Sequence, residues 1–384
     1  MPKKKKKLLL IKYSVEHPDI MDVLAKRFEE IHIISPHHEG LSMKGNEREW
    51  EDIIAKYDNV FIHFVKGNEV TFSIKVLFYS RKLKFDVILV RGEVWGLGGA
   101  FIKLISKKKL VSFISLEILD VHKKTKRRSI KYWIERGAIH LISWMVLRMS
   151  DAVIVPSKKL ESNMRKTTKK VFRSQFPGID VDMFSPRVGE SKNIKEKYGI
   201  PVGKEIIGYV GRLSPEKNPI ILLDVIKLSH DIHLLIVGDG PEREKIEERI
   251  KREKIDKMVT LMNYQPHNKI PEIMSLIDVF VQPSLSEAFG SWSAIEAMSC
   301  GIPVVSTHVG GIADYLVDGE NALIVQNPMD TIGYLEKIKK LEKNKELRTK
   351  IVEKGRSTAK KYSREEQEDK FIRILMSESV EEQL

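Results

Sequence analysis

Short apolar runs alternate with amphipathic stretches along the whole chain. In the first half the runs Lys7–Lys12, Ile31–Ile34, Val60–His63, Val87–Val90, Lys109–Ile114 and Ala152–Val155 have strand length. Several of them lack a polar face, as expected of strands covered on both sides in a parallel sheet. Between them, Ile20–Glu29 and Ile130–Met149 place apolar residues at helical spacing. The second half repeats the alternation. Strands are predicted at Ile206–Val210, His233–Val237, Val259–Met262, Val279–Pro283, Pro303–Ser306 and Ala322–Val325. Helices are predicted at Pro219–Ser229, Pro241–Glu253, Pro271–Leu276, Ser293–Cys300, Met329–Glu342 and Lys345–Lys361. Glycine or proline closes several of the strands, and the C-terminal edge of an open parallel sheet is where ligands bind.

A chain of 384 residues is too long for one ordinary core. The turn-rich segment FPGIDVDMFSP divides it. The expected organisation is residues 1–180, residues 181–362, and a last helix and tail over 363–384 that cross back to the first domain. Hydrophobic residues at 42% and charged residues at 31% suit a folded soluble chain. The one cysteine, Cys300, excludes an internal disulfide and a multi-cysteine zinc site. The opening MPKKKKKLLLI has too short an apolar part for a leader peptide and reads as a basic arm before a strand. With no apolar stretch of spanning length, the expectation is a cytoplasmic protein, peripheral at most on the inner face of a membrane.

The net charge of +13 is uneven. Residues 1–186 hold 36 basic and 21 acidic side chains, and residues 187–384 hold 30 and 32. An anionic partner therefore belongs to the first half. Lys103, Lys107–Lys109, Lys123, Lys124, Lys126, Arg127, Arg128 and Lys131 crowd beside a helix bearing Tyr132, Trp133 and Trp144. That pattern suits an anionic membrane surface, and no nucleic-acid motif accompanies it.

Candidate chemistry sits at the ends of the second-half strands. GRLSPEKNP places Arg212 and Lys217 after the strand-ending Gly211, a fork and a point charge suited to a diphosphate. In VGDGPERE, Gly238 and Gly240 allow a tight turn and close approach of a ligand. In PSLSEAFGSWSAIEAMSCGIPVV, Glu287, Ala288, Phe289 and Gly290 form a loop, and a helix starts near Ser291. Its free N–H groups favour phosphate, and Glu296 early in that helix could accept from ribose hydroxyls.

These segments, with GGIADYLVDGENALIV (Gly310–Val325) and PGIDVDMFSP (Pro177–Pro186), stand in one order over roughly residues 150–330. Together they resemble the C-terminal half of glycosyltransferase family 4, retaining enzymes of the GT-B fold. The resemblance implies two Rossmann-like, doubly wound domains facing across a cleft. It implies a hexose carried from a UDP- or GDP-linked donor to a glycan or lipid-linked acceptor. It matches Arg212 and Lys217 to the diphosphate-binding pair and Glu287 and Glu296 to the E-x7-E glutamates. It lends the backbone of Phe289 and Gly290 to sugar and phosphate, and Asn263–Pro266 to the base. It implies no metal and no other cofactor.

Two departures stand out. Eight residues separate Glu287 from Glu296, where the family has seven; an extra residue inside the helix would turn Glu296 by about 100°, so the loop before the helix is its expected place. The first half lacks the family's glycine loop and histidine, leaving Glu117 and His122 as the nearest acceptor-side candidates. These departures keep open a sugar-nucleotide-binding scaffold without turnover. Gly96, Gly98 and Gly99 read as a loop able to approach a ligand. Asp180-Val181-Asp182 and His37-His38-Glu39 mimic metal motifs, but a linker and a polar loop are the expected readings.

Overall fold

The computed structural model describes residues 5–11, 18–37, 55–66, 69–91, 96–114, 130–187, 191–287 and 290–377. It divides into Met1–Pro177 with Glu368–Leu384, and Gly178–Gln367. The first division lies three residues before the expected 180/181 boundary. Ile179 pairs with the segment around Ser363, donating its N–H to the Tyr362 carbonyl at 2.9 Å and accepting from Arg364 at 2.7 Å. Those bonds draw Gly178–Asp180 into the second unit.

The first unit holds seven parallel strands: β1 (Leu8–Ile11), β2 (Ile31–His37), β3 (Val60–Lys66), β4 (Val87–Arg91), β5 (Lys109–Phe113), β6 (Ala152–Val155) and β7 (Val171–Arg173). Their order is β3-β2-β1-β4-β5-β6-β7. β1 and β6 are wholly buried, as apolar strands covered on both faces must be. One face packs against α2 (Glu69–Ser80), α3 (Gly96–Ser106) and α4 (Ile130–Met149). The other packs against α1 (Pro18–Arg27) and the chain's last helix, Arg364–Met376. There Phe371 stacks on Phe176, ring centres 4.1 Å apart and nearly parallel.

One expectation is corrected here. Gly96, Gly98 and Gly99 belong to the first turn of α3, and all three are buried. A Cβ on Gly99 would come within 2.4 Å of Val90, and one on Gly96 within 2.6 Å of Val146. Small residues are needed there for helix-on-sheet packing, so they face the core and no ligand. The three-residue β7 and the helix α5 (Lys158–Met164) had no clear periodic signal.

The second unit opens with α6 (Ser191–Lys197) and holds six parallel strands: β8 (Glu205–Val210), β9 (Ile232–Val237), β10 (Val259–Met262), β11 (Val279–Gln282), β12 (Val304–Thr307) and β13 (Leu323–Val325). Their order is β10-β9-β8-β11-β12-β13. The chain moves outward from β8 to one edge and then returns to β8's other side with β11, so the topological switch point lies between β8 and β11. The helices are α7 (Leu222–Lys227), α8 (Arg243–Glu253), α9 (Ile270–Met274), α10 (Trp292–Ser299), α11 (Thr331–Lys343) and α12 (Lys345–Lys361); the chain's last helix, α13 (Arg364–Met376), belongs to the first unit from Glu368 onward. The expected helix Pro219–Ser229 resolves into a 3-10 turn, Pro219–Ile221, followed by α7. Asn218 before it takes the left-handed conformation, with φ 53°.

On β9 the buried His233 bonds through Nε2 to Thr260 on β10, at 2.8 Å. Burial pushes its imidazole down from 6.5 to about 4, with Lys204 adding to the effect. The unfolded chain therefore takes up this proton first as pH falls, so stability is full above 6.5 and declines between 6.5 and 4. The size is about 3 kcal/mol at most, from 1.36 kcal/mol per pH unit. Urea unfolding at pH 7 and pH 4.5 should show a steeper loss for the wild type than for His233→Gln. Equal losses would exclude this histidine as the cause.

Candidate active site

The C-terminal ends of β8, β9 and β11 are fixed to one another by backbone bonds. Gly211 donates its N–H to Val237 at 3.0 Å, and Leu213 donates to Asp239 at 2.9 Å. A Cβ on Gly238 would lie 1.9 Å from the Gly211 carbonyl oxygen, so only glycine permits this approach. The Glu216 carbonyl accepts from Leu285 at 2.8 Å and tethers the loop after β11 to the loop after β8. The peptide of Glu287 is pinned in turn. Its carbonyl accepts from Gly311 at 2.8 Å, and a Cβ on Gly310 would fall 1.7 Å from that oxygen.

This framework brings Lys217 onto Glu287 across the switch point. Lys217 Nζ donates to both carboxylate oxygens of Glu287 at 2.6 Å. The Ser284 hydroxyl donates to Glu287 Oε1 at 2.7 Å, and the Gln282 amide reaches the same oxygen at 3.3 Å. The carboxylate is 4% exposed and the lysine 26%. The ion pair is thus buried on its anionic side and open to water on its cationic side. Arg212 stands exposed in the same loop as Lys217. Among the described residues its guanidinium makes no hydrogen bond or ion pair, while its carbonyl accepts from Tyr209 at 2.7 Å.

The start of α10 differs from the expectation in one respect. Ser291 is buried and serves as the helix N-cap, accepting from Ala294 N–H at 3.3 Å. Its hydroxyl donates to Gln282 at 2.9 Å, and its own N–H goes to the Tyr315 hydroxyl at 2.9 Å. Each of its polar groups is committed within the chain, so Ser291 braces the loop and offers nothing to a ligand. Gly290 precedes it with φ 106°, a left-handed value that favours glycine. Ala288 and Phe289 lie outside the described residues.

Glu296 is drawn away from this cluster to another partner. Its Oε1 lies 2.8 Å from His267 Nε2, with the carboxylate 9% and the imidazole 53% exposed. His267 follows the loop after β10, so Glu296 faces the segment after Asn263–Pro266. Sequence reading missed His267, Gln282, Ser284 and Tyr315. Lone polar residues carry no periodic signal, and only proximity reveals their use.

The remaining candidates fall elsewhere. Glu117 and His122 lie outside the described residues, as do His38 and Glu39. Asp180 of the mock metal motif caps a turn, accepting from Met183 N–H at 2.9 Å. Cys300 is half-buried, and desolvation pushes its thiol up to about 12, so it is an unreactive side chain.

Residues 190–358 match the family model "Glycosyl transferases group 1". An uncharacterized glycosyltransferase of Methanocaldococcus jannaschii is 35% identical over 157 residues, 40% of this chain and 43% of that protein. A 2-deoxystreptamine N-acetyl-D-glucosaminyltransferase of Niallia circulans is 27% identical over 282 residues, 70% of each. A D-inositol 3-phosphate glycosyltransferase of Corynebacterium urealyticum is 29% identical over 213 residues, 52% of this chain and 50% of that one. The chain spans about half or less of the length of the first curated relatives it matches. Among solved structures, Anabaena Alr3699/HepE in complex with UDP superposes with a TM-score of 0.77 at 16% identity, over 96% of this chain and 98% of that one. The lipopolysaccharide outer core galactosyltransferase WaaB gives 0.68 at 13%, over 96% and 98%.

Two parallel α/β sheets of seven and six strands, matching such structures along nearly the whole chain, define the GT-B fold. The glycosyl transferases group 1 match lies wholly within the second unit, Gly178–Gln367.

Proposed function

We propose that the chain is a retaining glycosyltransferase that moves a hexose from a UDP- or GDP-linked donor to a glycan or lipid-linked acceptor. The observation that carries this is the Lys217–Glu287 pair at the switch point, with Arg212 exposed beside it and, among the described residues, without a hydrogen bond or ion pair. Switch points are where open parallel sheets bind nucleotides. Arg212 and the open side of Lys217 take the diphosphate and stabilise the charge that grows on it as the glycosidic bond breaks. Glu287, fixed by three donors, accepts from sugar hydroxyls. Glu296, held by His267, accepts from the ribose. No side chain is asked to be a strong base. The departing phosphate takes the acceptor proton on the face it leaves, which retains configuration.

Support for a uridine donor comes from the Anabaena protein of the same fold, solved in complex with UDP-glucose at a TM-score of 0.72 and 15% identity. A thermal-shift series with UDP, GDP and their hexose conjugates tests the donor. At about 100 times Kd, the right nucleotide should add about 2.7 kcal/mol of stability by mass action. Turnover of the same compound with a glycan acceptor separates a transferase from a binding scaffold. No response to any nucleoside diphosphate at millimolar concentration would defeat the proposal.

A further inference from the structure

We infer that the outer face of α2, α3 and α4 docks on an anionic lipid bilayer surface. This rests on the first unit alone and does not depend on the transferase reading. The three helices lie side by side on one face of the seven-stranded sheet, α3 between the other two. Their inward residues, such as Phe72, Val76, Ile102 and Val146, are buried in the core. Their outward residues are unusual for a soluble surface. Ile74 and Phe78 on α2, Leu104 and Ile105 on α3, and Leu141 and Trp144 on α4 are 47% to 64% exposed. An apolar group shared by three adjacent helices marks an interaction surface more than scattered single residues do.

Charge identifies the partner. Residues 71–85, 96–108 and 137–149 contain eight lysines and arginines and no aspartate or glutamate. Lys103 and Lys108 pair with Asp151 and Asp86 from outside these segments. Arg81 lies over the Phe78 ring at 5.4 Å, and Arg148 over the Trp144 ring at 5.4 Å. An aromatic plane beneath a guanidinium suits the boundary where acyl chain meets headgroup. A cavity of about 440 Å³ opens at the C-terminal ends of α2 and α3. Arg81 and Lys84 line it beside Ile105, with Glu29 and Asp86 on its walls. A second copy of the chain fits less well, because a twofold interface would set this cationic face against itself. Nucleic acid would leave the six apolar side chains unused. Among the described residues no helix is long and apolar enough to cross a membrane, which agrees with lying on one.

The test is co-sedimentation of the full chain with vesicles of phosphatidylcholine alone or mixed equally with phosphatidylglycerol. Binding to the mixed vesicles should exceed the neutral ones by about tenfold at low salt and fall as salt rises. K82E/K84E should lower it about tenfold, and F78S/L104S should lower it several-fold at constant charge. Unchanged far-UV circular dichroism and melting temperature show that each variant is folded. Three results overturn the inference: wild type left in the supernatant, both variants binding like wild type, or duplex DNA bound as tightly with F78S/L104S without effect. Size measurement that finds a dimer dispersed by F78S/L104S, with no vesicle binding, assigns the face to self-association instead.

Discussion

Replacing Arg212 with alanine is expected to lower kcat/KM for sugar transfer about 10²–10³-fold, the loss typical of one preorganised donor to a developing anion. The melting temperature should move by about a degree at most, because the guanidinium is exposed and holds nothing among the described residues. Its backbone role, accepting from the Tyr209 hydroxyl, survives the change. Arg212→Lys keeps the charge and loses the planar fork, so about tenfold of the activity should be missing. The nucleotide-dependent thermal shift should shrink in parallel for Arg212→Ala. Wild-type kinetics in that variant would remove the diphosphate from this loop and with it the proposed mechanism.

The second large effect belongs to Glu287, and two substitutions separate its tasks. Glu287→Ala removes a nearly buried carboxylate and strands the Lys217, Ser284 and Gln282 groups that point at it. Breaking a buried pair costs about 3–5 kcal/mol, and the water open to Lys217 reduces this to about 2 kcal/mol. For a unit of this size that is a fall of about 5 °C in melting temperature, together with loss of transfer. Glu287→Gln keeps the shape and a hydrogen bond to Ser284, so it should melt near the wild type. It leaves the positive charge on Lys217 unbalanced, so nucleoside diphosphate binding should be retained while turnover falls at least tenfold. Calorimetric titration with UDP beside steady-state kinetics reads both. Equal loss of binding and turnover would make Glu287 a fold-holding residue only.

A negative feature of the site bears on the altered spacing between the two glutamates. Ser291 is the N-cap of α10, and Glu296 emerges from the helix toward His267. The carboxylate is therefore neither turned into the sheet nor left in water. Its partner comes from the segment after β10, on the flank of the site where the family resemblance puts the nucleoside.

The chain's pattern alone was enough for the strands that carry the site. Ile232–Val237 is apolar except for His233 and Val279–Gln282 except for its last residue, and runs so apolar have no stable place except between two layers of helices. The position of Gly211, Arg212 and Lys217 just after a strand end was legible too, because the apolar run stops at Val210. Weak signals failed where they were short or ambiguous. β7 is three residues long. The Gly96–Gly99 run is flexible by composition and helical by packing, and only the Val90 and Val146 side chains decide between the two.

Tertiary structure alone settled which polar groups meet. Lys217 and Glu287 are 70 residues apart and touch because strand order puts β8 beside β11. His267 and Glu296 meet for the same kind of reason, over 29 residues. A side chain's period along the chain reports which face is buried, because burial acts on each residue separately. Its partner is fixed by the order in which strands are laid side by side, and that order is a property of the whole sheet.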